Sequence, residues 1–139
     1  MYAAFPLLAL PVVVYNLVLL GMGGLNTDRA AATLANPLFT IHMTSGGAWP
    51  VTSSDLLLGG SLIVLFIELL KSTNSRNIAI INHSLSMILF VACLVEFLLF
   101  RGFATSVFFL LTLMVLLDVL AGFIVTIVTS RRDIDFDHG

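Results

Sequence analysis

Four ionisable side chains lie inside or at the ends of long apolar segments of the chain: Glu68, His83, Glu96 and Asp118. An aspartate at the centre of a membrane helix costs about 2.5–3.5 kcal/mol on insertion scales. Such groups are therefore kept mainly where they face protein, a partner or a water-filled path. Carboxylates and an imidazole could relay a proton there or form hydrogen bonds between helices. These four residues are the first candidates for function.

The four candidates differ in their expected depth in the membrane, counted from the ends of their segments at about 1.5 Å per residue of helix. Asp118 falls near the middle of its segment among leucines and valines, so it needs a partner most. An interhelical hydrogen bond, a proton path and a partner contact are the alternatives for it. Glu68 and His83 share a shallower layer, where Glu68 could reach the membrane interface beside Lys71.

One face of the third apolar segment carries a polar stripe. Its members are Asn82, Ser86, Leu89, Cys93 and Glu96, with His83 beside them. At about 100° per residue they point in similar directions, and such a stripe needs a protein-facing or wet neighbour. Residues 59–61 and Thr112 are expected to approach it, because small residues let membrane helices touch. Glu96 is expected to pair with Arg101 or with the start of the next segment.

The composition indicates a membrane protein. Of 139 residues, 59% are hydrophobic and only 10% are charged, whereas soluble domains have about 25% charged residues. The net charge of −2 and the absence of a Lys/Arg cluster argue against nucleic-acid binding. The single cysteine, Cys93, excludes an intramolecular disulfide.

The apolar segments predict an all-α membrane protein, a bundle of four transmembrane helices in one domain covering residues 1–139. The predicted spans are residues 3–22, 54–70, 78–100 and 105–128, followed by a polar tail at 129–139. The first segment could instead be a cleaved signal peptide, since small residues at 30–32 offer a cleavage site. Its length and the lack of a preceding Lys or Arg favour a retained span.

The distribution of basic residues predicts the orientation. One side of a four-span arrangement carries Lys71, Arg76, Arg131 and Arg132, and the other carries Arg29 and Arg101. Both termini are therefore expected in the cytoplasm. We expect a multi-pass protein of a bacterial inner membrane.

In the outer loop, residues 23–53, the spacing of apolar residues changes from a helical pattern to a strand pattern. A short helix is predicted through 29–35, ended by Asn36 and Pro37. Apolar and polar residues then alternate on both sides of a glycine turn, which predicts a β-hairpin. Its candidate contact residues are Phe39, Ile41, Met43 and Trp49. The hairpin could be a lid over the bundle or a docking surface for a larger complex. Residues 53–55 are expected to cap the second span.

Catalytic motifs are missing from the sequence. It has no phosphate-binding loop, no nucleophile elbow and no paired-histidine metal motif, so neither an enzyme nor a cofactor is predicted. A single axial histidine, His83 or His42, could ligate haem or chlorophyll. No second buried histidine supports that alternative.

These features favour a non-enzymatic accessory or assembly subunit of a larger membrane complex. Its expected partners are the lipid bilayer and other membrane-protein subunits. The alternative is a small transporter or proton-coupled channel, with Asp118, Glu96 and His83 along the path.

Overall fold

The computed structural model describes residues 5–71 and 76–137, and the fold is mostly helical. In chain order the elements are α1 (Ala9–Gly21), α2 (Ala30–Leu34), β1 (Pro37–His42), β2 (Ala48–Thr52), α3 (Ser53–Lys71), α4 (Arg76–Leu99), a 3-10 turn (Arg101–Phe103) and α5 (Ser106–Asp137). Three segments are long and apolar enough to cross a membrane: Ser53–Lys71, Ile80–Leu99 and Ser106–Val128. These segments indicate a membrane protein with at least three candidate spans.

The first predicted span is a shorter helix than expected. α1 has 13 residues, or about 20 Å of helix, so the structure does not confirm a bundle of four spans. A turn closed by the Ala9 amide on the Pro6 carbonyl (3.1 Å) precedes it. Pro11 lies in its first turn, where a missing N–H costs little. Beyond the helix, Gly23 and Gly24 have φ values of 114° and 125°, which glycine alone adopts readily.

Helix α5 is the centre of the fold because it packs against both α4 and α3. In its apolar window 39% of residues are buried, against 17% in those of α3 and α4. Near the turn between α4 and α5 the core is apolar and aromatic, with Tyr15, Phe103 and Phe108 fully buried. The polar residues lie towards the other end. The two ends of the interior therefore differ in chemistry.

The predicted hairpin is confirmed as a two-stranded antiparallel sheet. Ile41 pairs with Trp49 and Phe39 with Val51, and an irregularity in register falls between Pro37 and Phe39. The turn is closed by the Met43 amide on a glycine carbonyl at 2.8 Å. The short helix predicted before the hairpin is also present, as α2.

Helix α3 is capped one residue earlier than residues 53–55 predicted. The Asp55 amide donates to Thr52 Oγ1 at 3.2 Å, and the Thr52 amide donates to Asp55 Oδ2 at 3.0 Å. This is a reciprocal capping box, which satisfies two backbone donors at once. Ser54 instead donates to the Leu34 carbonyl at 2.8 Å, joining α3 to the end of α2. Strand β2 therefore runs directly into α3.

Helix α5 continues past the predicted end of the last span at 128, and its backbone is helical through Asp137. No glycine or proline occurs between Gly122 and the end of the helix, so nothing in the local sequence breaks it. The segment assigned to a separate polar tail is thus mostly an extension of the span.

Candidate functional site: a buried polar cluster between the helices

Asp118 is joined to the polar stripe of α4. Ser86 Oγ donates to Asp118 Oδ2 at 3.1 Å, and the two residues are 1% and 5% exposed. Among the alternatives for Asp118, the structure places an interhelical hydrogen bond there. The bond crosses the contact between α4 and α5. It pairs two buried polar side chains, and buried polar groups are rarely left without a hydrogen bond.

Glu68 is buried and does not reach outwards to the membrane interface, so the expectation of an interfacial side chain is wrong. It is 1% exposed, and its Oε2 accepts the Leu7 amide at 2.8 Å just before α1 begins. Lys71 Nζ lies 3.7 Å from the same oxygen and donates to the Phe5 carbonyl at 3.0 Å. The end of α3 thereby holds the start of α1, where a carboxylate also favours the helix dipole.

Charged side chains of α3 and α5 interact here, and α4 adds an uncharged polar group. The charge of Asp118 on α5 interacts unfavourably with that of Glu68 and favourably with that of Lys71, both on α3. Ser86 adds a hydroxyl from α4. We call Glu68, Lys71, Asn82, His83, Ser86 and Asp118 the polar cluster.

Asn82 and His83 complete the polar cluster from the first turns of α4. Asn82 is 8% exposed and lies one turn before Ser86 on the same face. The His83 ring packs against α5, because a Cβ added at Gly122 would lie 2.8 Å from His83 Nδ1. The centroids of the His83 and Phe123 rings are 6.3 Å apart. Glycine at 122 is therefore what lets the imidazole reach α5.

Three buried atoms of the polar cluster have no hydrogen-bond partner among the described residues: Glu68 Oε1, Asn82 Nδ2 and His83 Nδ1. Buried polar atoms are rarely left unpaired in folded proteins. One is an acceptor, one a donor, and the imidazole nitrogen can be either, depending on its tautomer. The polar cluster can therefore hydrogen-bond a small polar species or pass a proton.

Glu96 lies outside the polar cluster and has a different partner from either one expected. The Asn16 side chain of α1 interacts with its carboxyl and donates a hydrogen bond to the Val12 carbonyl at 2.9 Å. Arg101 is exposed, and its backbone amide donates to Asn26 Oδ1 at 3.2 Å. Glu96 therefore connects α4 to α1.

The small residues of α3 divide between two faces. Helix α3 packs against α5, and the expected approach of these residues to α4 stays a prediction. Ser61 is 1% exposed but donates to the Leu57 carbonyl of its own helix at 2.6 Å. Gly59 and Gly60 are exposed, and a Cβ added at either would meet nothing within 4 Å. Thr112, likewise buried, donates to its own helix. The glycines thus face away from the polar cluster.

Sequence reasoning missed a second anchor, in the middle of α1. Tyr15 is 0% exposed; its hydroxyl donates to the Gly102 carbonyl at 2.7 Å and lies 2.7 Å from Thr105 Oγ1. A Cβ at Gly102 would lie 2.6 Å from the Leu25 carbonyl and 2.8 Å from Leu19. A tyrosine with a hydroxyl to satisfy inside an apolar segment was the available signal.

The four candidate contact residues of the hairpin are exposed. Phe39, Ile41, Met43 and Trp49 are 41–50% exposed. Strand β1 is exposed along its whole length, and β2 makes the packing contact with α3. Of the hairpin residues, Val51 alone is buried, and the four candidates are open to lipid or a partner.

The chemistry available to the described residues is that of hydrogen bonding and proton exchange. Cys93, the one thiol, is 0% exposed next to the Glu96 charge, and no group of three metal-binding side chains occurs in the described ranges. His42 lies on the exposed hairpin.

No protein-family model, curated protein or solved structure matches this chain.

Proposed function

We propose that this protein is a non-enzymatic accessory or assembly subunit of a larger membrane complex. The observation that carries the proposal is the open glycine patch, Gly59 and Gly60, on the exposed face of α3. Small residues are enriched where membrane helices meet, because they let two backbones approach closely. Leu56 and Ile63, one turn to either side of the patch, are also exposed and would flank an incoming helix.

The low burial of the outer spans supports the same proposal. Only 17% of the apolar windows of α3 and α4 is buried within this chain. Lipid alone can cover apolar side chains. A flat glycine surface adds no favourable contact with lipid, whereas it lets another helix pack closely. A helix from another subunit is the occupant we propose for the patch.

We also propose that α1 is the fourth membrane helix of the bundle. It is held near its start by Glu68 and Lys71 and at its middle by the Tyr15 hydroxyl contacts. The basic residues on the side of Lys71 and Arg131 favour a cytoplasmic location for both termini. A bacterial inner membrane is the setting we propose.

Gentle extraction from native membranes into lipid nanodiscs, followed by mass measurement, tests the accessory-subunit proposal. The expected species contains this chain together with other membrane polypeptides in fixed ratio. A species that contains this chain alone, at every detergent-to-protein ratio, would contradict the proposal.

A small transporter or proton-coupled channel is the second candidate, and the polar cluster is the observation that favours it. Its unpaired Glu68 and Asn82 atoms lie, with other buried polar side chains, in a largely apolar interior. Ionisable residues inside a membrane are by default candidates for a transport path.

Proton flux into liposomes tests the second candidate. Asp118→Asn removes the charge but keeps an oxygen for Ser86, so this candidate expects slower flux than in the wild type. Ser84→Ala is the matched control, since Ser84 is exposed and bonds its own helix. Equal flux in the wild type and Asp118→Asn would rule the path out.

A further inference from the structure

The two faces of the β-hairpin differ in chemistry. Opposed residues of an antiparallel pair point to the same face, so the observed register defines both sets. One face carries Phe39, Ile41, Trp49 and Val51, and the other carries Thr40, His42, Ala48 and Pro50. The hairpin is amphipathic, with its aromatic and branched side chains on a single side.

The apolar face is directed towards the bundle. Val51 belongs to that face and is 3% exposed where β2 packs against α3. Phe39, Ile41 and Trp49 continue the same face but are 41–50% exposed. The apolar face therefore extends beyond the edge of the helices on the side that Val51 contacts.

The position of the hairpin along the chain places it at a membrane surface. Strand β2 ends at Thr52 and α3, a candidate span, begins at the next residue. Leu56, in the first turns of α3, is 52% exposed, so the exposed apolar surface of α3 begins directly after the hairpin. The hairpin and the exposed surface of this candidate span are thus adjacent in the chain.

The hairpin also lacks the charges that a soluble protein partner would recognise. Residues 37–52 contain no Asp, Glu, Lys or Arg. Aromatic rings with a polar group, tryptophan above all, are enriched where headgroups meet acyl chains. An uncharged sheet with tryptophan and phenylalanine on one side suits that boundary.

We propose that the hairpin is an interfacial anchor, which lays Phe39, Ile41 and Trp49 into the headgroup–acyl boundary of the bilayer at the start of α3. Its other face, with Thr40 and His42, lies against water. The anchor does not depend on the accessory-subunit proposal, because it needs lipid alone.

Tryptophan fluorescence in vesicles tests the anchor directly, because Trp49 is the only tryptophan in the chain. The purified full-length protein is reconstituted in phosphatidylcholine vesicles with bromine atoms placed either near the acyl carbonyls or near the chain ends. The proposal expects a blue-shifted emission that shallow bromines quench more than deep ones. Aqueous acrylamide should quench it weakly.

A matched variant moves the reporter to the opposite face. In the double variant W49F/T40W, the proposal expects a red-shifted emission that acrylamide quenches strongly and bromolipids weakly. Two outcomes would overturn the proposal. One is wild-type emission that acrylamide quenches as fully as in the double variant, which places the hairpin in water. The other is wild-type emission that neither quencher reaches, which places Trp49 against protein.

Discussion

Ser86 on α4 donates a hydrogen bond of 3.1 Å to Asp118 on α5, and both side chains are buried. This contact joins the polar stripe of α4 to the central helix of the fold. It also gives the buried Asp118 carboxylate a partner. Interhelical hydrogen bonds of this kind contribute about 0.6 kcal/mol on average in membrane proteins, with a maximum of about 1.7 kcal/mol.

The first prediction concerns that bond. Ser86→Ala removes the donor and leaves Asp118 without it, so the free energy of unfolding should fall by about 1 kcal/mol, within the range for membrane helices. Equilibrium unfolding in mixed micelles measures the change. Ser84→Ala is the control, because Ser84 is exposed and donates to the Ile80 carbonyl of its own helix. Equal losses in the two variants would show that the bond between α4 and α5 adds nothing.

The second prediction concerns the glycine beneath His83. Gly122→Ala puts a Cβ 2.8 Å from His83 Nδ1, and neighbouring atoms must move. Overpacking of this kind costs about 1–3 kcal/mol, and the same unfolding measurement should detect it. Adding His83→Ala should restore most of the loss, because the clashing ring is gone. Gly21→Ala, where a Cβ meets open space, serves as the control.

The outcome that would contradict this prediction is a Gly122→Ala protein as stable as the Gly21→Ala control. A loss that His83→Ala does not relieve would also count against the contact, since it would place the strain elsewhere.

The third prediction concerns the start of α1. Glu68→Leu removes the acceptor for the Leu7 amide and the ion-pair partner of Lys71. Amide hydrogens near the start of α1 should then exchange faster, because the helix end is released, while those around Tyr15 keep their protection. Glu68→Gln keeps an acceptor oxygen and should lie much closer to the wild type. Unchanged exchange near Leu7 in Glu68→Leu would mean that Glu68 does not hold α1.

Composition and local pattern were sufficient for several features of this fold. The scarcity of charge indicated a membrane protein, and alternation around the glycine turn predicted the hairpin. Both signals are local, because helix length, strand period and turn chemistry depend on neighbouring residues. The inward direction of the polar stripe followed in the same way, from the helical period that places Asn82 and Ser86 on one face.

The partners of the buried groups could not be read in this way. Glu68 is buried because the start of α1 packs over it, and Glu96 interacts with Asn16 of the same helix. Each contact joins residues far apart in the chain, and no local pattern specifies which helices touch. The first helix is shorter than predicted. The apolar composition covers residues 3–22, but Pro6 and the glycines after Met22 limit the helix to α1.

We propose that a helix of another subunit occupies the glycine patch on α3. Gly60→Leu is the test, because a Cβ there meets nothing within 4 Å in this chain, whereas the side chain would block an incoming helix. Gly21→Leu is the control, as it also faces open space. The measurement is the mass of the particle extracted from native membranes in nanodiscs, with unfolding checked in parallel. The account predicts that Gly60→Leu folds normally but is recovered without the polypeptides that accompany the wild type and Gly21→Leu. Recovery of the same particle from all three proteins would contradict it.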